Sequence, residues 1–182
     1  MSRIALVEPA TATGKAAELL AAVNAAFGVT PNMTKVMATS PAVLDGYLAL
    51  SGALSKGTLP AAVRERLALA TAEANGCDYC LSAHTYIGAN LAKVDAEELE
   101  AARRGTSADT HIAALLQLSN EVLETRGRVS DDVLAAARSQ GVTDAEIAEV
   151  VGHIALNVLT NYLNTLSAVE IDWPVVRVGQ PA

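Results

Sequence analysis

The chain has 182 residues, 51% of them hydrophobic and 18% charged, which is enough apolar material for one well-filled core and leaves no disordered bulk. It holds 36 alanines and only six aromatic residues, a balance that favours helices over strands and excludes a sandwich or barrel. Its net charge of −7 would repel a nucleic-acid backbone rather than grip it.

Helix punctuation divides the chain. Residues 12–27 form a first amphipathic segment, closed by Gly28 and Pro31. Ser40-Pro41 opens a second, which carries Val43, Leu44, Tyr47 and Leu48. Thr58-Leu59-Pro60 opens a third, which stops at Asn75-Gly76, and a fourth runs from Cys77 or Asp78 to about Ala92. Asp95 and Glu98 have capping-box spacing for a short helix ending at Gly105. Ser107 starts the next, to about residue 125, and Ser130 caps one ending at Gly141. Thr143 and Glu146 form a second capping box for the longest segment, in which Ile147, Val150, Val151, Ile154, Val158, Tyr162 and Leu166 mark a core-facing stripe. Period-two alternation is absent except for an extended tail at Val175–Val178. The expectation is an all-α domain of about eight helices. A faint echo sets Pro60 over Thr143 and Tyr79 over Tyr162, as if residues 142–168 were a degenerate copy of a redox core at 58–92.

The run from His153 to Glu170 is uncharged but holds Asn157, Thr160, Asn161 and Asn164, so it is amphipathic and does not span a membrane. No secretory signal opens the sequence, and the reducing cytosol is the default compartment.

Both cysteines lie in one motif, Cys77-Asp-Tyr-Cys80. In a reducing compartment such a pair is redox-active or metal-binding before it is a staple, with two small buried hydrophobes as the bland alternative. Zinc needs three or four ligands; Cys77, Cys80 and His84 supply three, with no second pair, so metal is the minor reading. Gly76 ends one helix and places Cys77 at the N-terminus of the next, where the dipole favours a thiolate. His84 stands one turn beyond Cys80, within reach of its sulfur, but about 10 Å along the axis from Cys77. The dipole thus favours Cys77 as the reactive thiol, and the histidine favours Cys80. Glu65 by itself is a solvated helix charge, and Tyr79 a packing residue with a polar tip.

The spacing Glu65-x11-Cys77-x-x-Cys80-x3-His84, with the flanks Phe27–Asn32, Met37–Pro41, Asn161–Asn164 and Glu170–Pro174, resembles the AhpD-like alkylhydroperoxidases of the carboxymuconolactone decarboxylase superfamily, especially its peroxidase-related subgroup. The resemblance implies an AhpD-like helical fold in trimers or hexamers, and a peroxidase cycle without haem, flavin or metal. In that cycle Cys80 attacks a hydroperoxide, Cys77 resolves, and Glu65 and His84 relay the proton. A dithiol or thioredoxin-like donor then reduces the disulfide. Tyr79 stands where AhpD itself has a second relay histidine and is at most an auxiliary. The alternatives are a disulfide redox sensor with little turnover and a cofactor-free decarboxylase, although decarboxylases of the superfamily lack the cysteine pair. Alanine-rich faces also point to self-association.

Overall fold

A computed structural model describes residues 2–180. Among them there are nine α-helices and no strand: α1 (Gly14–Phe27), α2 (Asn32–Met37), α3 (Pro41–Leu54), α4 (Ala61–Ala74), α5 (Asp78–Asn90), α6 (Ala96–Arg103), α7 (Thr110–Thr125), α8 (Asp131–Ser139) and α9 (Asp144–Ser167). The all-α expectation is met, with one helix more than the punctuation marks out. The addition is α2, a single short helix started by Pro31, whose carbonyl accepts the Thr34 hydroxyl and whose Val36 and Met37 are buried.

Helix α4 is the hub and packs against α5, α6, α7 and α9. Its Val63, Leu67, Leu69, Ala70 and Ala72 join Leu81, Leu99, Leu115, Leu116 and Val150 in the main core. A second cluster, built on Leu19, Leu20, Val23, Met37 and Leu44, seats α1 to α3. Small residues let the helices close up: a Cβ at Gly88 of α5 would stand 2.6 Å from the buried Leu99 of α6. The turn into α4 is held from a distance by Glu149 of α9. Its carboxylate accepts the backbone N–H groups of Thr58 and Leu59 and the Thr58 hydroxyl. Burial opposes ionisation of Glu149, but these donors outweigh it and lower its pKa.

The local start signals fare unevenly. Thr143 and Glu146 form the full capping box. Ser130 caps α8 through the Val133 N–H. Asp95 and Glu98 do not form theirs, because Glu98 is drawn to Ser107, the Ala108 N–H and Arg66. Helix α7 is capped by Asp109 rather than Ser107, since the aspartate accepts the N–H groups of both His111 and Ile112. The Ser40 side chain makes no cap bond, and Pro41 alone starts α3. The tail at 175–178 finds no strand partner and bonds instead to side chains of α5.

The largest departure is in α9. Val150 and Ile154 are buried as the apolar stripe requires, but Val151, Tyr162 and Leu166 are exposed. In their place His153, Asn157, Thr160, Asn161, Asn164 and Ser167 turn inward. The C-terminal half of this helix is polar inside and apolar outside. Residues 58–92 and 142–168 also differ in backbone, since α9 continues unbroken past Thr160, opposite the break before Cys77. No helix of the described residues is long and apolar enough to cross a membrane.

His111 ties α7 to the α8–α9 joint: Nδ1 bonds the Gln140 carbonyl at 3.0 Å and Nε2 the Glu146 carboxylate at 2.9 Å. Both acceptors are best served by the protonated ring, first the carbonyl and then the carboxylate, so its pKa is raised above the usual 6.5. The folded state therefore binds this proton more tightly than the unfolded chain, and the stabilisation is complete below pH 6.5 and is lost as pH rises through the raised value. Urea midpoints of the native protein and His111→Gln should differ at pH 6 and converge towards pH 9.

Candidate functional site

Cysteine chemistry is placed by a helix break. The Gly76 N–H bonds the Glu73 carbonyl and the Cys77 N–H bonds the Ala72 carbonyl, the paired reverse bonds of a Schellman stop. Gly76 sits at φ 71°, where a side chain would be strained. Cys77 is thus both the last residue of that stop and the N-cap of α5, where its Sγ accepts the Cys80 N–H at 3.2 Å. Cys80 lies in the first turn. The Cα atoms are 5.3 Å apart and the sulfurs are at bonding distance, so the pair forms a disulfide. Both residues are 2% exposed.

The structure joins two further members of the motif: Glu65 Oε2 of α4 is 2.7 Å from His84 Nδ1 of α5. Both side chains are partly exposed, so this pair forms the solvent-facing rim of an otherwise buried site. With Nδ1 engaged, Nε2 is the ring nitrogen left to exchange a proton, one helical turn from Cys80. A groove of about 570 Å³ between α7 and α8 is lined by Thr110, Gln117, Val133 and Gln140, and by none of these residues.

Tyr79 is turned elsewhere. Its hydroxyl donates to Asp172 Oδ2 at 2.6 Å and accepts the Met33 N–H at 3.1 Å, and its ring meets Trp173 edge to face. Burial, then the bond to Asp172, pushes the phenol far above its usual 10. It is a neutral clamp on the C-terminal segment. Tyr47 of α3 is likewise pushed up to about 12, by burial and by the charge of Glu65.

Helix α9 supplies groups that spacing did not single out. Asn164 Nδ2 donates to Cys80 Sγ at 3.3 Å, and Asn161 Oδ1 accepts from Asn75 Nδ2 at 2.9 Å, on the stop that precedes Cys77. His153 is buried with Nε2 unpartnered among the described residues, and its pKa is lowered by burial and by Arg64. The available signal was the spacing of Asn157, Asn161 and Asn164, poor helix formers recurring on one face of a helix. Among the described residues no group of side chains has the make-up of a metal centre.

Residues 41–124 match the family model described as the carboxymuconolactone decarboxylase family. Solved structures share the fold over nearly the whole chain. The alkylhydroperoxidase AhpD core protein of Ralstonia eutropha JMP134, an uncharacterized peroxidase-related protein, has a TM-score of 0.83 at 23% identity, covering 94% of this chain and 92% of its own. A peroxidase-related protein of Silicibacter sp. TM1040 has 0.78 at 20%, covering 90% and 88%. The debrominase Bmp8 has 0.78 at 17%, covering 93% and 92%. No curated protein matches. The chain thus shares the all-helical fold of these structures, and its residues 41–124, which hold the C-x-x-C pair, are similar to the carboxymuconolactone decarboxylase family.

If the Tyr79 hydroxyl is structural, Tyr79→Phe leaves the Met33 N–H and Asp172 without their partner. Chemical denaturation should show a loss of about 1–3 kcal/mol, while the pH dependence of Cys80 alkylation stays where it was.

Proposed function

We propose that the protein is a cysteine-based hydroperoxide reductase. The observation that carries this reading is the Cys77–Cys80 pair set at a helix N-terminus beside the Glu65–His84 hydrogen bond. The Cys80 thiolate attacks the outer peroxide oxygen and the O–O bond breaks. The leaving alkoxide takes a proton from the Glu65–His84 pair, giving an alcohol and a sulfenic acid on Cys80. The Cys77 thiolate then attacks Cys80 Sγ, and the sulfenic hydroxyl leaves as water with a proton from the same pair. The peroxide is reduced by two electrons, and the two thiols become one disulfide. An external dithiol or thioredoxin-like donor restores them by exchange.

Cys80 is the attacker in this reading because His84 lies one turn from it. Cys77 holds the position of resolver, with its sulfur already turned towards Cys80 and served by the N-cap bond. Glu65 fixes the imidazole through Nδ1, and the pair both removes the thiol proton and returns it to the leaving oxygen. Tyr79, occupied by Asp172 and Met33, takes no part.

Reduced protein mixed with cumene hydroperoxide should lose two thiols per chain and gain an internal Cys77–Cys80 disulfide, read by mass spectrometry. Loss of thiols without that disulfide would overturn the proposal. The shared fold of a debrominase makes 2,3,4-tribromopyrrole, crystallised with a variant of that protein, a useful second substrate. Turnover of the halide with none of the peroxide would reassign the same thiols. Oxidation without catalytic recycling by a dithiol would instead identify a redox sensor.

Removing the base should separate the roles of the two cysteines. His84→Asn should slow peroxide reduction at pH 7 by about 100-fold, with recovery as pH approaches the ordinary thiol value near 8.5. Glu65→Gln should give a smaller loss of the same form. Cys77→Ser should trap a sulfenic acid on Cys80 that dimedone labels.

A further inference from the structure

Asn164 has an unusual position for an asparagine. It is 3% exposed, near the end of α9, and its Oδ1 is buried without a hydrogen-bond partner among the described residues. Burying an amide with its acceptor unused is unfavourable, and a leucine of similar size would avoid that penalty. Of the neighbouring asparagines, Asn157 donates to the His153 carbonyl, and Asn161 accepts from Asn75 while its own Nδ2 is buried without a partner among the described residues. The Asn164 side chain has one partner, the Cys80 sulfur at 3.3 Å. That contact alone orients the amide.

An N–H donor binds a thiol or disulfide sulfur weakly and a thiolate about twice as strongly as it binds a neutral acceptor. A group with that preference lowers the pKa of the sulfur it touches. Cys77 draws its donor from elsewhere, the Cys80 backbone N–H. The two sulfurs are therefore served by independent groups, and one of those groups is a side chain.

We propose that Asn164 is a catalytic residue of the dithiol site, whose side-chain amide stabilises the Cys80 thiolate and helps to make Cys80, rather than Cys77, the attacking sulfur. This rests on the reading of Cys80 as the nucleophile. The amide carries no charge, so it shifts the titration of Cys80 without adding one of its own. The ionisable groups on the elements around it are Tyr47 of α3, Arg64 and Glu65 of α4, Cys77, Asp78, Tyr79 and His84 of α5, His153 of α9, and Asp172 and Arg177 of the C-terminal segment. Glu65 is paired with His84, Asp78 with Arg177 and Tyr79 with Asp172. None of them depends on Asn164.

The test is the pH dependence of Cys80 alkylation by iodoacetamide in reduced Cys77→Ser protein, with and without Asn164→Leu. The leucine should raise the midpoint and slow alkylation at pH 7 about tenfold, leaving the rate at pH 10 unchanged. Should the leucine variant misfold, the native side chain can be read directly. In the Cys77→Ser protein the Asn164 side-chain amide resonances should titrate with the midpoint found by alkylation. A folded Asn164→Leu protein with an unmoved or lowered midpoint would overturn the proposal, as would amide resonances indifferent to the thiol. Neither readout uses a peroxide. A raised midpoint in a protein that reduces no hydroperoxide would thus refute the proposed function and uphold the role of Asn164, while an unmoved midpoint in an active peroxidase would do the reverse.

Discussion

Two sulfur atoms are held out of water at the start of a helix, and much of the molecule follows from the need to give them polar neighbours there. The Schellman stop at Gly76 turns the chain so that Cys77 caps α5 and receives a backbone N–H. The second sulfur receives a side-chain amide from α9. Helix α4, packed on both α5 and α9, fixes their separation and carries Glu65 to His84. A displacement of α4 would disturb the stop before Cys77 and the Glu65–His84 contact together. That explains why its inner face is filled by residues such as Leu67, Leu69, Ala70 and Ala72, which have no polar atoms to compete with them.

Burial holds several titratable groups around the site in their neutral forms. His153 is kept neutral by burial and by the nearby Arg64, and Tyr47 and Tyr79 are held protonated by burial and by acidic neighbours. Glu65 and His84 are hydrogen-bonded to each other at the edge of the site. That pair is partly exposed while the sulfurs are buried, so α5 carries one group open to solvent and one closed from it within two turns.

Much of this was legible in the sequence. The all-α class, the break at Gly76 and the capping box at Thr143 follow from local rules that the structure obeys, and the spacing from Glu65 to His84 marks residues that the fold does bring together. The polarity of α9 was not legible. An apolar stripe gives the angle of a helical face but not which side is the interior; Tyr162 and Leu166 face outward while Asn161 and Asn164 reach Asn75 and Cys80 inside. The partner of the Tyr79 polar tip was hidden for a related reason: its hydroxyl is claimed by Asp172, 93 residues away, which no local pattern announces. The box expected at Asp95 failed because Glu98 found an arginine and a serine beyond its own helix.

The C-terminal segment lies along the first turns of α5. Val176 exchanges bonds with Ser82, Val178 and Arg177 bind Asp78, Gly179 binds Glu73, and the buried Arg103 gathers the carbonyls of Arg177 and Gln180. These contacts join residues about a hundred positions apart in the chain. During synthesis the cysteine turn emerges long before its clasp, and the two can meet only when residues 172–180 have left the ribosome. The nascent chain must therefore carry an unclasped pair of thiols while the residues between Cys80 and Asp172 are made. Until the clasp closes, the turn lacks the bonds from Val176 and Val178 that hold Ser82 and Asp78 in the folded protein.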